Sequence, residues 1–131
     1  MATGTVPALV GGAVLGWGSA ETVRRLGNKG SVLGAGAALV TAAVIYPAAR
    51  RDRSLSGALV VEGAVVAATT GLAVAAATTD VASGRRWLAA GWAAHALFDF
   101  GQGPSEDSRL PGWYAPLCAG FDFAYAARLA R

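Results

Sequence analysis

The single histidine of this 131-residue chain, His95, stands four residues before Asp99. That spacing puts an imidazole and a carboxylate on one face of an α-helix, with Trp92 one turn earlier. Further on, Tyr114, Cys118, Asp122 and Tyr125 follow at intervals of four, four and three residues, a second helical stripe. An imidazole one turn from a carboxylate is oriented by it and can switch between acid and base. Carboxyl groups in a water-poor pocket can act as acids toward an alkene, an epoxide or a carbonyl, and an aromatic ring face stabilises a developing carbocation. The spacing therefore points to His95, Asp99 and Asp122 as catalytic groups, with Trp92, Tyr114, Cys118 and Tyr125 lining a substrate cavity. Glu62 is a fourth catalytic candidate, an acid within an apolar run, with Thr69 seven residues along the same face. The expected reaction is an acid–base isomerisation or cyclisation of a lipophilic, isoprenoid-like small molecule.

These side chains belong to a chain that is 54% hydrophobic and 15% charged, with mean hydropathy +0.45. A soluble domain carries about 25% charged residues, and one of this length cannot bury so much apolar surface. Alanine and glycine, 31 and 18 residues, together fill 49 positions. Small residues let helix backbones approach closely in lipid, where no hydrophobic effect drives helices together. Charged groups divide the chain into five apolar runs. The expectation is an all-α, polytopic transmembrane bundle of about five helices, over residues 5–20, 31–49, 56–78, 86–101 and 112–129. Together they would form one integral membrane domain, 1–131, placed as a multi-pass protein in the cell membrane. Five spans of roughly 20 residues leave only about 30 for connections, which excludes a Rossmann domain, a P-loop domain or a nucleic-acid module. The net charge of +3 arises from short Lys and Arg groups between the runs, so no nucleic-acid partner is expected. The first run has no basic segment before it and reads as a retained helix, not a signal peptide. One cysteine excludes an intrachain disulfide and a thiolate zinc cluster.

A connector of about ten residues between the last two runs makes those helices antiparallel neighbours. Counted from that connector, Asp99 is shallow, His95 deeper and Asp122 deeper still, so His95 and Asp122 are expected at similar depth. An intramembrane charge costs about 2.5–3.5 kcal/mol at the bilayer centre. Glu62, Asp99 and Asp122 are therefore expected to face inward or to bind protons, and whether Glu62 joins the other two is open. Gly12 with Gly16, and Gly30 with Gly34, fit small-x-x-x-small helix contacts. Pro47 marks the exit of the second helix and Pro116 lies in the first turn of the fifth. Turn chemistry at Gly101-Gln102-Gly103-Pro104 and at Pro111-Gly112 frames the last connector. No internal repeat is evident, which disfavours an inverted-repeat transporter. Seven basic residues fall on one side of the expected membrane and four on the other, favouring an N-terminus outside and a C-terminus inside.

Plainer readings stand beside each of these. A His–Asp pair is also what a hydrogen-bonded staple between helices looks like, and Glu62 is also an interfacial acid near a helix end. Trp87, Trp113 and Tyr114 fit an interfacial aromatic belt, and Cys118 a small packing residue. His95, Asp99 and Asp122, with Glu62, would make an oxygen-rich metal set with one imidazole. One histidine is few for a membrane metalloenzyme, and no metal or other cofactor is expected. The only lysine, Lys29, lies in a connector and offers no buried Schiff base. A small proton-coupled transporter relying on Glu62, and a non-catalytic membrane subunit, are the alternative functions. The expected partners are a lipophilic small molecule and membrane lipid, and a homodimer is compatible because five short helices enclose little volume.

The last third of the chain carries a resemblance. Its segments Trp92-Ala-Ala-His95-Ala-Leu-Phe-Asp99 and Pro111-Gly-Trp-Tyr-Ala-Pro116-Leu-Cys118-Ala-Gly-Phe-Asp122 resemble a group of small bacterial polytopic membrane proteins of unknown function. Those carry His-x-x-x-Asp in one helix, a proline-containing loop, and Cys-x-x-x-Asp in the next. Members often place one or two histidines just past the first Asp, where this chain has Gln102 and Gly103. The resemblance implies His95, Asp99, Cys118 and Asp122 as site residues and leaves the reaction open. A weaker likeness, of chemistry without an alignable motif, is to membrane-integral terpene cyclases, which use intramembrane acids to protonate an epoxide or olefin.

Overall fold

Two polar side chains show where helices start. Ser56 accepts a hydrogen bond from the Leu59 amide at 3.2 Å, and Asp80 accepts one from the Ser83 amide at 2.9 Å. Both satisfy backbone donors that a first helical turn leaves unpaired, and the Ser83 bonds hold the exposed Asp80 carboxyl below the usual carboxylate range. The computed structural model describes residues 4–102 and 106–131. They form five α-helices: α1 (Thr5–Arg24), α2 (Asn28–Ala49), α3 (Gly57–Ala77), α4 (Val81–Gly101) and α5 (Tyr114–Ala130). The expected all-α class and helix number are found. Among the described residues the only extended pairing is an isolated bridge between Arg50 and Ser108. Pro47 lies in the last turn of α2 and Pro116 in the first of α5. The turn expected at Gly103-Pro104 lies outside the described residues.

α1, α2 and α4 run beyond the expected limits, to Arg24, from Asn28 and from Val81, because charge does not stop a helix that has partners for it. α1 continues past residue 20, where Glu21 meets Arg128 at 2.5 Å and Arg24 donates to the carbonyls of Arg128 and Leu129. Those carbonyls lie in the last turn of α5, which a cation suits. The chain then turns at Gly27, whose φ of +87° is open to glycine at little cost. α4 begins at Val81 and not at 86, because Asp80 supplies its cap. Lys29 donates to the Ala77 carbonyl and so closes the end of α3.

The chain runs up and down, so α1 and α5 are parallel, as are α2 and α4. A Cβ added to Gly12, Gly16 or Gly120 would lie 1.9–2.0 Å from the carbonyl oxygen of Leu117, Phe121 or Leu9, respectively. Only glycine permits this backbone contact between α1 and α5. The expected Gly12/Gly16 seam is thus present. The Gly30/Gly34 seam is not, because Gly30 faces Leu26, just past α1, and Gly34 faces Leu26 and Val23. Gly36 on α2 meets Ala73, Gly84 on α4 meets Ala76, and Gly91 meets Leu72, so small residues set the crossings around α3. The interior is filled by Val32, Leu39, Leu88, Trp92, Tyr125 and Leu129. Many large apolar side chains point outward, among them Val10, Val14, Val60, Val74 and Leu97. Among the described residues, α2 and α3 are long and apolar enough to cross a membrane.

Candidate functional site

The antiparallel packing of α4 on α5 brings His95 and Asp122 to one depth. His95 Nδ1 lies 2.6 Å from Asp122 Oδ2 and 3.5 Å from Asp99 Oδ2. All three side chains are at most 3% exposed. A fourth residue joins them from α2, where Tyr46 donates its hydroxyl proton to Asp99 Oδ1 at 2.5 Å. Sequence reasoning missed Tyr46. The available signal was depth: Tyr46 lies three residues before the end of α2, and Asp99 two before the end of the parallel α4. Phe98, also missed, packs edge-on against Tyr46 with ring centroids 5.4 Å apart, and 5.7 Å from the His95 ring.

Among the described residues, this constellation leaves two buried atoms without a hydrogen bond, His95 Nε2 and Asp99 Oδ2. His95 also lines a groove of about 220 Å³ between α3 and α4, whose other walls include Val65, Leu72, Ala94 and Phe98. Thr69 lines it too, but its hydroxyl is taken up by the carbonyls of Val65 and Val66 on its own helix. The groove is therefore apolar apart from one imidazole. Whichever partner carries the shared proton, Nδ1 is tied to Asp122, and Nε2 is the nitrogen left for a ligand. A carboxylate that fixes one ring nitrogen and frees the other is the arrangement of an oriented general acid or base.

Glu62 is somewhere else. Both of its carboxylate oxygens are held by Arg50, through Nε at 2.7 Å and Nη2 at 2.8 Å. This bidentate, charge-assisted pair strengthens the hold of Arg50 on its own proton. Arg50 also reaches Asp107 at 2.5 Å. Backbone bonds from Arg51 to Asp107 (2.7 Å) and from Arg109 to Ala49 (2.9 Å) sew the last connector across this end of the bundle. Beneath the connector lies a polar pocket of about 50 Å³ lined by Tyr46, Arg50, Glu62, Gln102, Ser108 and Tyr114, among others. Glu62 thus stands apart from the His95 cluster, an outcome its sequence position left open. It is also not the unpaired intramembrane acid that a proton-coupled exporter would use.

The aromatic candidates separate in the same way. Trp92 and Tyr125 stack with centroids 4.3 Å apart, and the Trp92 indole donates to the Ala35 carbonyl at 3.2 Å. Both are 1% exposed and line neither the groove nor the end pocket. Tyr125 Oη has no hydrogen-bond partner. Tyr114 lines the end pocket, and Cys118, one turn deeper, is half-buried and lines neither space. Trp87 and Trp113 are about half exposed near helix ends, as belt residues are.

Donor atoms of His95, Asp99 and Asp122 lie within 4.8 Å of one another, a spacing a divalent cation can bridge. A metal-bound histidine ordinarily has its second nitrogen held by a partner, and here Nε2 has none. The geometry fits an acid–base imidazole better than a ligand set. Comparison of the chain with protein-family models, with curated proteins and with solved structures finds no match.

Proposed function

We propose that the protein is a multi-pass membrane enzyme that uses His95, oriented by Asp122 and Asp99, for acid–base isomerisation or cyclisation of a lipophilic, isoprenoid-like molecule. Several features support the membrane setting. α2 and α3 have the length and apolarity of spans, and the outward face of the bundle is studded with valine, leucine and tryptophan. The end formed by the α1–α2 and α3–α4 connectors and the C-terminus holds seven basic residues against Glu21 and Asp80, a balance of +5. The opposite end holds Arg50, Arg51, Arg53 and Arg109 against Asp52, Glu62, Glu106 and Asp107, a balance of zero. That asymmetry favours the basic end on the cytoplasmic side, with the N-terminus outside.

The observation that carries the chemical reading is the His95 ring. Its Nδ1 is bound by Asp122, its Nε2 is unpartnered, and the residue opens onto an apolar groove of about 220 Å³ between α3 and α4. A hydrocarbon entering sideways from the bilayer would lie against His95 in an otherwise apolar groove. Asp122 holds the ring in place and stabilises the imidazolium when Nε2 takes up a proton; in the reverse step Nε2 returns the proton to a neighbouring carbon.

The test is comparative lipid profiling. Isoprenoid lipids extracted from cells expressing the wild-type chain, His95→Ala or Asp122→Asn are compared by mass spectrometry. An isomerised or cyclised species made by the wild type should fall by about 100-fold or more in both variants, the usual loss when a general acid–base group is removed. Identical extracts from all three would end the enzymatic reading.

A further inference from the structure

We infer that the cleft between the start of α4 and the end of α5 binds the phosphate of an anionic phospholipid, held by Arg85, Arg86 and Arg131. The inference rests on the membrane setting alone and not on the chemistry of His95, which lies more than two turns further along α4.

The cleft has a volume of about 230 Å³. Ala82, Arg85 and Arg86 line it from α4, and Leu129, Ala130 and Arg131 from the end of α5. A cavity needs about 10–15 Å³ to hold one water, so a phosphodiester with its bound water finds room here.

The three arginines have no carboxylate to answer them. None forms an ion pair with an acid among the described residues. Arg85 donates to neutral oxygens, Ser31 Oγ at 2.9 Å and Asn28 Oδ1 at 3.5 Å. Arg131 lies over the face of Trp17, 5.6 Å from the ring centroid. Arg86 is exposed, and the acid whose charge it feels, Asp80, is already engaged by the Ser83 amide. The other acid at this end, Glu21, is held by Arg128 at 2.5 Å. Arg24 is close enough for its charge to oppose those of Arg85 and Arg128, and it donates to the last carbonyls of α5. Positive charge is thus left in excess around a cleft that has space for a counter-anion. A guanidinium matches phosphate in charge and in the geometry of its paired donors.

Depth assigns that anion to a lipid. Trp87 follows Arg86 in the sequence and Trp17 lies beneath Arg131, and both indoles are half exposed, as at a membrane interface. The arginines therefore sit at headgroup level, on the side that the basic residues assign to the cytoplasm, and Leu129 with the two alanines gives the cleft an apolar wall. Basic pockets between helices at this level are where anionic headgroups bind. A choline headgroup offers the same phosphate but brings its own cation among the arginines, whereas a glycerol headgroup brings none.

Lipid binding to the full-length protein in detergent is read by native mass spectrometry with three probes: phosphatidylglycerol, phosphatidylcholine and inorganic phosphate. The wild type should hold phosphatidylglycerol at least about tenfold more tightly than phosphatidylcholine. Arg86→Gln/Arg131→Gln changes two exposed residues and should weaken phosphatidylglycerol about 25-fold, about fivefold for each cation removed beside an anionic headgroup. Arg85→Gln should weaken it about fivefold or more, which keeps the site testable if the double variant does not fold. Arg51→Gln/Arg53→Gln removes the same charge from the opposite end and should leave binding unchanged. Equal affinity for the two lipids, or equal weakening in the opposite-end variant, would overturn the site. Displacement of phosphatidylglycerol by millimolar inorganic phosphate would overturn the lipid and assign the cleft to a free anion. No turnover is read, so failure here leaves the His95 reading standing, and failure of that reading leaves this one.

Discussion

On one side of His95 the bundle interior is a stack of large apolar side chains. On the other it is a chain of polar groups ending in an ion-paired cap. Toward the basic end, Trp92 and Tyr125 stack, Leu88, Leu39 and Leu129 close around them, and the Trp92 indole donates to the Ala35 carbonyl. Toward the Arg50 end, Asp99, Tyr46, Glu62 and Asp107 follow one another within the same cross-section. The difference teaches why the polar groups gather where they do. Helix ends and a connector offer backbone amides and an arginine to satisfy carboxylates, as in the Asp52 amide and the Arg50 guanidinium that meet the Asp107 carboxylate. In mid-helix the backbone groups are already paired, so a buried acid there must bind another side chain, as Asp122 does.

The sealed half should therefore carry most of the stability. Trp92→Ala removes a stacking partner and an indole hydrogen bond from a site that is 1% exposed. It should destabilise the bundle by about 3 kcal/mol, at the low end of aromatic truncations. Equilibrium unfolding in mixed detergent micelles gives the number. If Trp92→Ala cost no more than a polar-half substitution, the division of labour between the halves would be wrong.

Breaking the cap comes next. Arg50→Gln strands Glu62, whose side chain is 6% exposed, and removes the guanidinium from Asp107. Losing charge-assisted bonds from a partly buried carboxylate should cost about 2 kcal/mol. The double variant Arg50→Gln/Glu62→Gln should recover part of that loss, since no charge is then left without a partner. The same unfolding assay decides, and a double variant that is worse than the single would show that the pair contributes through something other than charge compensation.

Much of this asymmetry was legible in the sequence, and the rest was hidden for identifiable reasons. Helix number followed from the spacing of charges, and the meeting of His95 with Asp122 followed from counting residues on either side of the last connector. Charge spacing does not show the helix ends at Arg24, Asn28 and Val81, because the charged residue there is a cap or a partner and not a boundary. Tyr46 was overlooked because its sequence neighbours, Tyr-Pro before Ala-Ala-Arg, read as a helix exit. Only the parallel packing of α2 on α4 turns it toward Asp99. Glu62 could not be assigned, since its partner Arg50 lies across a turn and competes with three other basic residues at that end. Trp92 and Tyr125 sit on the right stripes, but a stripe does not say whether its aromatic residues face a cavity or one another.

Smaller effects sharpen the comparison further. Tyr46→Phe deletes one neutral-to-carboxyl hydrogen bond without changing packing, so it should cost about 1 kcal/mol by the same unfolding assay. That is well below Trp92→Ala, although the two rings are almost equally buried. A polar-half residue whose truncation costs little stability is what the division predicts, and a loss matching Trp92→Ala would remove it.

The groove wall should be the most tolerant place of all. Thr69 is 7% exposed and lines the space beside His95, yet its hydroxyl bonds only to its own helix. Thr69→Val should therefore shift stability by less than about 0.5 kcal/mol. Thr69→Phe is the more telling change, because the added ring has roughly 220 Å³ of unfilled groove to enter. Overpacking a filled core costs about 1–3 kcal/mol, whereas filling an open groove should cost little or even stabilise. Unfolding measured for both variants then separates a groove from tight packing, and lipid profiling of the phenylalanine variant completes the argument. A stable Thr69→Phe protein that no longer makes the wild-type product would place the substrate between α3 and α4. A stable variant that still makes it would move the substrate to another face of His95.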